Sequence, residues 1–272
     1  MTERDLDLRL RTARDVVREA GKLAYDYFVR RAQLEVEHKG MQDLVSIADR
    51  AVEDLIRTRL HAAFPEDDLL GEEGGASERR AGAGLWVIDP IDGTANFLRG
   101  MPYWSTALAY VIGERVEIGV TYDPVHDELF AARRGGGAWR NEAPIRVSGA
   151  TDPKRAIIGS TFTFKMSVER YITLLQGILG AGSDHRRMGS TALMMCHVAD
   201  GRLDGCATGH CNAWDVIGGL LLVEEAGGVA SDFIAEHGLL QAGSALGCTP
   251  GLQETLERIR ADSGASEASG TG

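Results

Sequence analysis

The stretch Trp86–Gly100, WVIDPIDGTANFLRG, places two aspartates three positions apart at the end of an apolar run. Asp89 closes the run, and Pro90 holds it extended because the residue before a proline avoids the helical region. Asp92 is followed by Gly-Thr, which can turn the chain into a helix whose first N–H groups point back to the same place. Two carboxylates beside a helix N-terminus predict a site for a divalent cation next to a phosphate.

Two further acidic clusters strengthen this interpretation. Glu72 and Glu73 follow a short apolar segment in LLGEEGG, and Asp215 lies in the first turn of a predicted helix in NAWDVIGG. Taken alone, each would more often be a solvated turn or a helix cap, and Asp92-Gly93 would be an ordinary turn. Three such clusters, each at the end of a strand or the start of a helix, predict one shared metal site.

The composition narrows the classes of function and location. The chain has 272 residues, 44% of them hydrophobic, and a formal net charge of −11. These values are typical of one or two globular domains, and the acidity disfavours a nucleic-acid partner, which would need basic residues to replace counterions. Four cysteines without a CxxC pair predict free thiols, and the absence of any long apolar run predicts a cytoplasmic protein with no membrane partner.

Periodic patterns predict the order of the elements. A first helix is followed by a second one between Ser46 and Pro65, and apolar runs separated by turn signals predict an antiparallel meander over Leu85–Val147. Beyond residue 150 short strands alternate with helices, which we expect at 168–179, 191–199, 213–226 and 250–260. We therefore expect an α+β half (1–148) with most metal ligands, an α/β half (149–262) with Asp215 and the substrate walls, and a disordered tail (263–272).

Several motifs together resemble one known family. GEE at Gly71–Glu73, WVIDPIDGTANF at Trp86–Phe97 and WDVIGGLLLVEEAGG at Trp214–Gly228 occur in this order, with DLVSIADRAVE and RRMGSTAL in the expected gaps. Over most of its length the chain is similar to the inositol monophosphatase family of Mg²⁺-dependent, lithium-sensitive sugar phosphatases. The resemblance implies a layered αβαβα fold, which combines α+β and α/β halves, and a homodimer.

The same resemblance implies a set of metal ligands. Glu72, Asp89 and the carbonyl of Ile91 would bind a first Mg²⁺, and Asp89, Asp92 and Asp215 would bind a second. A third, weaker ion would bind near Glu72 through waters, giving two to three ions per site. Oxygen ligands of this kind suit Mg²⁺ better than zinc.

The resemblance also assigns catalytic roles. Asp49 and Thr94, together with Glu72, would activate a metal-associated water for direct attack on phosphorus. The backbone N–H groups of Gly93 and Thr94 would hold the phosphate. Lys39 and Glu73 would support these groups without binding an ion.

For the substrate, the resemblance points to three positions that approach the ring, Gly189, Ser190 and Ala192. Family members that act on inositol commonly carry a glutamate seven residues before the aspartate of the WD motif, and this position is Thr208 here. His210 is an alternative contact, and we expect relaxed specificity. Inositol 1-phosphate is the first candidate substrate; histidinol phosphate, fructose 1,6-bisphosphate and nucleotide-derived phosphates are alternatives, as is a regulatory binding protein that retains the fold.

A phosphatase of the haloacid-dehalogenase type is a rival interpretation, because its DxDGT motif is close to DPIDGT. In that class the first aspartate is a covalent nucleophile. Here two residues separate Asp89 from Asp92, so in a regular strand their side chains would lie on opposite faces. The GEE and WD clusters would also have no role, so the rival class is disfavoured.

Overall fold

The computed structural model describes residues 2–31, 36–40, 43–76, 80 and 82–268, with the side chains of 36–45 and 265–268 excepted. The helices are α1 (Glu3–Val29), α2 (Ile47–Ala63), α3 (Thr94–Arg99), α4 (Val168–Gly180), α5 (Thr191–Ala199), α6 (Ala213–Glu225), α7 (Phe233–His237) and α8 (Gln253–Ala268). The strands are β1 (Val36–Gly40), β2 (Asp43–Ser46), β3 (Asp68–Gly71), β4 (Gly75–Ala76), β5 (Leu85–Asp92), β6 (Ser105–Ile112), β7 (Arg115–Asp123), β8 (Glu128–Arg133), β9 (Ala138–Arg140), β10 (Ala143–Pro144), β11 (Ile157–Thr161), β12 (Asp184–Arg186), β13 (Gly205–Cys211), β14 (Val229–Ala230) and β15 (Gly243–Cys248). None of the helices in these ranges is long and apolar enough to cross a membrane.

The elements stack in alternating layers of helices and sheets. α1 and α2 cover one face of an eight-stranded sheet with a core that includes Trp86 and Trp104. α5 and α6 fill the space between this sheet and a five-stranded sheet. α4 and α8 cover the outer face of the second sheet. The layered αβαβα fold expected from the sequence is confirmed.

The two large sheets are mixed, whereas β1 and β2 form a separate antiparallel pair, and one parallel pair in the first large sheet matters for the site. The first sheet has the order β10-β9-β8-β7-β6-β5-β3-β4, in which β5 to β10 form the antiparallel meander predicted for Leu85–Val147. β3 pairs with β5 in parallel, so the C-terminal ends of these two strands lie side by side. The second sheet has the order β12-β11-β13-β15-β14, with β11 parallel to both of its neighbours.

Polar caps explain where three helices begin. The Ser46 hydroxyl and the Asp49 carboxylate form a capping box at the start of α2. The Ser190 hydroxyl caps α5, and at α6 the Asp215 carboxylate accepts a hydrogen bond of 2.7 Å from the N–H of Asn212. These side chains satisfy N–H groups that a helix leaves open. Each also lies next to the carboxylate cluster described below.

The C-terminal helix differs from the expectation. The sequence predicted a disordered tail over 263–272, but α8 continues to Ala268. Ser263 is fully buried and donates its hydroxyl to the carbonyl of Arg260, and α8 packs along α4. This packing stabilises the polar end of the helix. Residues 269–272 lie outside the described part of the chain, and the division into halves at residue 148 stays a prediction.

All four cysteines are buried and free, as the missing CxxC pair predicted. Burial raises the pKa of the Cys211 thiol well above its ordinary value, and burial raises the pKa of Cys248 to about 12. A thiol reacts as its thiolate. These cysteines therefore act as small core side chains.

Candidate active site

The carboxylates of Glu72, Asp89 and Asp215 meet at one point between the two sheets. Glu72 follows β3, Asp89 lies in the neighbouring strand β5, and Asp215 lies in the first turn of α6. One carboxylate oxygen from each residue lies within 4.8 Å of the others. The parallel pairing of β3 and β5 explains why the first two meet, since the C-terminal ends of parallel neighbours share one edge of a sheet.

Asp92 joins this cluster because β5 is irregular at its end. The register between β5 and β6 shifts between Asp89 and Asp92. The charge of Asp92 is close enough to Asp89 to raise the pKa of that carboxyl. The expectation that the two side chains lie on opposite faces assumed a regular strand, and the register shift means that strict alternation does not apply between these two residues.

The cluster fits a divalent cation that prefers oxygen ligands. The Oδ1 atom of Asp89 is buried and has no hydrogen-bond partner among the described residues, an arrangement that is costly for a carboxylate. Burial, followed by the charges of Glu72, Asp92 and Asp215, raises the pKa of Asp89 well above its ordinary value. Burial raises the pKa of Asp215 to about 7. Carboxylates that repel one another in this way gain most from a bound cation, and the described cluster contains no thiol or imidazole that would favour zinc.

Asp92 is held by the N-terminus of α5. Its carboxylate accepts hydrogen bonds from the Ser190 hydroxyl at 2.5 Å, the Ala192 N–H at 2.7 Å and the Thr191 N–H at 3.2 Å. These donors favour the ionised form, but burial is the larger effect and raises the pKa of Asp92 to about 6. A carboxylate has about four acceptor directions, so roughly one remains for another partner. Ser190 and Ala192, which the sequence predicted to approach the substrate, both form hydrogen bonds to Asp92, and their contact with a substrate stays a prediction.

Asp49 and Thr94 are paired, as the resemblance implied. The Thr94 hydroxyl lies 3.2 Å from Asp49 Oδ1 and 3.0 Å from the Ile91 carbonyl, and its single proton can serve one of them at a time. The second oxygen of Asp49 accepts hydrogen bonds from the Ser46 N–H at 2.8 Å and the Ser46 hydroxyl at 2.7 Å. Burial is the main cause that raises the pKa of Asp49 to about 6. The pair therefore combines a positioned hydroxyl with a carboxylate that binds a proton near neutral pH.

Sequence reasoning missed Glu53, which fixes the GEE turn. This buried carboxylate accepts hydrogen bonds from the N–H groups of Glu73 and Gly74, both at 2.8 Å, and forms an ion pair with Arg57. The sequence did contain a signal for Glu53. It lies four positions after Asp49 on the otherwise apolar, buried face of α2, where an acidic side chain needs a polar partner. Glu73 also acts on Asp49 through its charge. The side chain of Lys39 lies outside the described residues.

Asn96 and two glycines join the two halves of the chain above the cluster. The Asn96 amide donates to the Tyr103 carbonyl and to the Met188 carbonyl, both at 2.8 Å. Gly93 and Gly189 both have positive φ, and a Cβ at Gly93 would lie 3.1 Å from the Gly189 carbonyl oxygen. A Cβ at Gly189 would lie 2.7 Å from the Asn96 amide nitrogen, so this glycine lets the Asn96 side chain approach the backbone, and its contact with a substrate stays a prediction. Sequence reasoning did not single out Asn96.

A cleft of about 610 Å³ opens from the cluster to the surface. Its inner end includes Glu72 and Asp215, and Asn96 and Gly189 lie beside them. The outer wall consists of side chains from the β11–α4 connection, from the residue that follows β12 and from β13, namely Phe162, Phe164, Lys165, Arg187 and His210. Acidic groups inside and aromatic and basic groups outside give this cleft two chemically different ends.

Thr208 does not reach this cleft. It is fully buried, accepts a hydrogen bond of 2.7 Å from the Thr161 hydroxyl and donates to the His210 carbonyl at 3.2 Å. β13 shifts its register between Thr208 and Cys211, and His210, within this irregular stretch, is exposed to the cleft instead. The predicted substrate contact at Thr208 is therefore not formed, and its role here is to support the backbone of His210.

Comparisons with known proteins agree with this geometry. The model of the inositol monophosphatase family matches residues 5–265. The Nus factor SuhB of Pasteurella multocida (strain Pm70) is 36% identical over 258 residues, covering 94% of this chain and 95% of that protein. The extragenic suppressor protein suhB from Bartonella henselae superposes with a TM-score of 0.87 at 29% identity, covering 93% of this chain and 98% of that one. The Thermotoga maritima IMPase gives 0.83 at 28% identity, covering 95% and 98%.

Proposed function

Because the chain belongs to the inositol monophosphatase family, we propose that it is a Mg²⁺-dependent hydrolase of small phosphate monoesters, with inositol 1-phosphate as the first candidate substrate. The observation that carries this proposal is the buried Asp89, whose Oδ1 has no hydrogen-bond partner among the described residues although the charges of four other carboxylates act on it. Such a group is stabilised by a cation, and a cation beside a helix N-terminus suits a phosphate.

The proposed ligands are those implied by the family. Glu72, Asp89 and the Ile91 carbonyl would hold one ion, and Asp89, Asp92 and Asp215 a second; a third, weaker ion would lie near Glu72. The chemistry that Mg²⁺ supplies when bound is neutralisation of phosphate charge and a lower pKa of water.

The other steps belong to residues of the chain. The Thr94 hydroxyl donates to Asp49 and can accept a hydrogen bond from the attacking water, which orients that water toward phosphorus. Asp49 can take up a proton because burial raises its pKa to about 6. The N–H groups of Gly93 and Thr94, at the start of α3, would hold phosphate oxygens as negative charge increases on them.

The alcohol part of the substrate would extend into the cleft past Gly189 and His210. The position at which inositol-specific relatives commonly carry a glutamate is the buried Thr208, and His210 lines the cleft with an imidazole, so we propose relaxed specificity. Histidinol phosphate and fructose 1,6-bisphosphate remain alternative substrates. Inhibition by lithium and a homodimeric state are further proposals that rest on the family, and an activity titration with LiCl and a measurement of molar mass by light scattering test them.

The central experiment measures phosphate release from inositol 1-phosphate, histidinol phosphate, fructose 1,6-bisphosphate, adenosine monophosphates and β-glycerophosphate. We expect turnover with MgCl₂, none with excess EDTA, and recovery on adding Mg²⁺ back. Full activity in EDTA would contradict the metal assignment. Failure to hydrolyse any ester in MgCl₂ would contradict the proposed enzyme.

A regulatory role is a second candidate, because several relatives, including that from Pasteurella multocida, carry the name Nus factor SuhB. The two roles are independent only if binding survives without turnover, which the Asp92→Asn variant tests. Pull-down from lysate with this variant and with wild type should recover the same partners if binding is independent of catalysis. Loss of the partners in the variant alone would contradict an independent role.

A further inference from the structure

α5 contacts the first half of the chain near both of its ends. Its N-terminus holds Asp92, and His197, in its last turn, packs against Tyr103. The Nδ1 atom of His197 lies 3.1 Å from the Tyr103 hydroxyl, and the ring centroids are 5.5 Å apart. His197 is buried, and no step of the proposed hydrolysis uses it. A buried polar pair of this kind restrains the orientation of both side chains.

Arg202 determines which ring nitrogen of His197 carries the proton. The Arg202 Nη1 atom lies 3.0 Å from Nε2, and because a guanidinium can only donate, Nε2 must accept. Glu128 holds Arg202 in place with two hydrogen bonds of 2.6 and 2.7 Å. Burial, followed by the charge of Arg202, lowers the pKa of His197 to about 4, so the ring is neutral at neutral pH. Its one proton therefore lies on Nδ1 and is donated to the Tyr103 oxygen.

Tyr103 connects this contact to the turn that begins α3. Its carbonyl accepts a hydrogen bond of 2.8 Å from the Asn96 amide, which also donates to the Met188 carbonyl at 2.8 Å. A Cβ at Gly93 would lie 3.2 Å from the same Tyr103 oxygen, so the backbone of Gly93 lies directly beside it. The position of Tyr103 therefore limits where the first N–H groups of α3 can point.

We propose that His197 is a positioning residue for the turn Gly93-Thr94, acting through Tyr103 and not through contact with a substrate. The hydrogen bond from His197 holds the Tyr103 ring, and the Tyr103 backbone restrains Asn96 and the turn whose N–H groups would bind phosphate. A looser turn binds phosphate more weakly, because binding must then also order the backbone. The effect on phosphate rests on the proposed function, whereas the restraint on the chain does not.

Two substitutions separate the two contacts of His197. The amide nitrogen of asparagine can donate from the position of Nδ1, so His197→Asn keeps the contact with Tyr103 and loses the acceptor for Arg202. The amide oxygen of glutamine can accept at the position of Nε2, so His197→Gln keeps the contact with Arg202 and loses the donor to Tyr103. Tyr103→Phe removes the hydroxyl and keeps the ring. If His197 acts through Tyr103, only His197→Gln and Tyr103→Phe should disturb the turn.

The first test measures hydrogen exchange by mass spectrometry in the metal-free proteins. Peptides that cover residues 93–103 should exchange about 3- to 10-fold faster in His197→Gln and Tyr103→Phe, because one hydrogen bond is lost. His197→Asn should match wild type in these peptides, and peptides from α2 should be unchanged in all variants. Equal exchange in wild type and His197→Gln, the same increase in both His197 variants, or an increase that extends to α2 overturns the proposal.

The second test measures kcat and KM for an ester that wild type hydrolyses, and the affinity for inorganic phosphate by calorimetry in MgCl₂. His197→Gln and Tyr103→Phe should raise KM and weaken phosphate binding about 3- to 10-fold, with a smaller change in kcat. The Mg²⁺ concentration for half-maximal activity should stay within about 2-fold, because the other end of α5 holds Asp92. An altered Mg²⁺ requirement with unchanged phosphate affinity would overturn the assignment to the turn.

The two tests also separate this proposal from the proposed function. If wild type neither hydrolyses an ester nor binds phosphate, but the exchange pattern is as expected, the proposed function fails and His197 still positions the turn. If wild type is an active phosphatase and the exchange pattern is absent, only the role of His197 is overturned.

Discussion

The Ser190 hydroxyl donates a 2.5 Å hydrogen bond to Asp92 and also caps α5 by accepting from the Leu193 N–H. One side chain from the second half of the chain thus fixes a proposed metal ligand from the first half. The stability of α5 and the orientation of Asp92 are linked through this hydroxyl.

We expect Ser190→Ala to weaken both the helix and the site. Loss of a hydrogen bond to a charged group costs about 1.5–3 kcal/mol. The variant should therefore melt at lower temperature and need more Mg²⁺ for half-maximal activity. Ser167→Ala is a matched control, because Ser167 caps α4 and, within the described part of the chain, forms no hydrogen bond to a carboxylate of the cluster. If both variants showed the same Mg²⁺ dependence, the link to Asp92 would be wrong.

Asp92→Asn should abolish hydrolysis, with kcat falling at least about 100-fold, since even groups that only support a ligand cost 10–100-fold when lost. Relief of charge repulsion would by itself stabilise the metal-free variant slightly. The loss of hydrogen bonds opposes this gain, because three donors from α5 converge on Asp92 and an amide offers them one oxygen. Asp232→Asn, at the cap of α7, should retain normal turnover. Near-normal activity of Asp92→Asn at saturating Mg²⁺ would refute the ligand assignment.

Asp215→Asn should stabilise the metal-free protein in a pH-dependent way. The pKa of Asp215 is raised from 3.8 to about 7, so the folded state holds this proton more tightly than the unfolded chain does. The contribution of Asp215 to the free energy of unfolding is therefore most favourable below about pH 4 and is lost as the pH rises through 7. In EDTA we expect the variant to melt about 5–10 °C above wild type at pH 8, and close to it at pH 4.

Adding Mg²⁺ should reverse this order at pH 8, because wild type gains stability from the ion and the variant gains little. Differential scanning calorimetry in EDTA and in MgCl₂ measures both effects. A variant less stable than wild type in EDTA at pH 8 would show that the carboxylates do not repel one another as proposed.

Substrate preference should respond to His210 and not to Thr208. Thr208→Glu would place a carboxylate at a fully buried position, so we expect a loss of stability and no gain in selectivity for inositol 1-phosphate. His210→Ala should change the ratio of kcat/KM for inositol 1-phosphate and β-glycerophosphate while leaving the melting temperature nearly unchanged. Selective improvement of inositol 1-phosphate hydrolysis by Thr208→Glu would contradict the observed position of this side chain.

Much of the site could be predicted from local sequence. Local patterns identify the strands and the helix whose ends carry Glu72, Asp89 and Asp215. They also predict α5, which spans 191–199 as expected. The features that local sequence did not predict depend on pairing between distant segments of the chain. The burial of Thr208 follows from its partner Thr161 on β11, and the contact of Asn96 with Met188 joins residues 92 positions apart. No local pattern carries such information.

The donors that hold Asp92 are 98 to 100 residues away in the chain. Contacts across such a long stretch of chain form late in folding, because closing the loop lowers the entropy of the chain and other contacts must offset that loss. The carboxylate cluster therefore assembles only when α5 and α6 have docked on the sheet that carries Asp89. In refolding, the ability to bind Mg²⁺ should appear with the final kinetic phase, after most helical signal has returned.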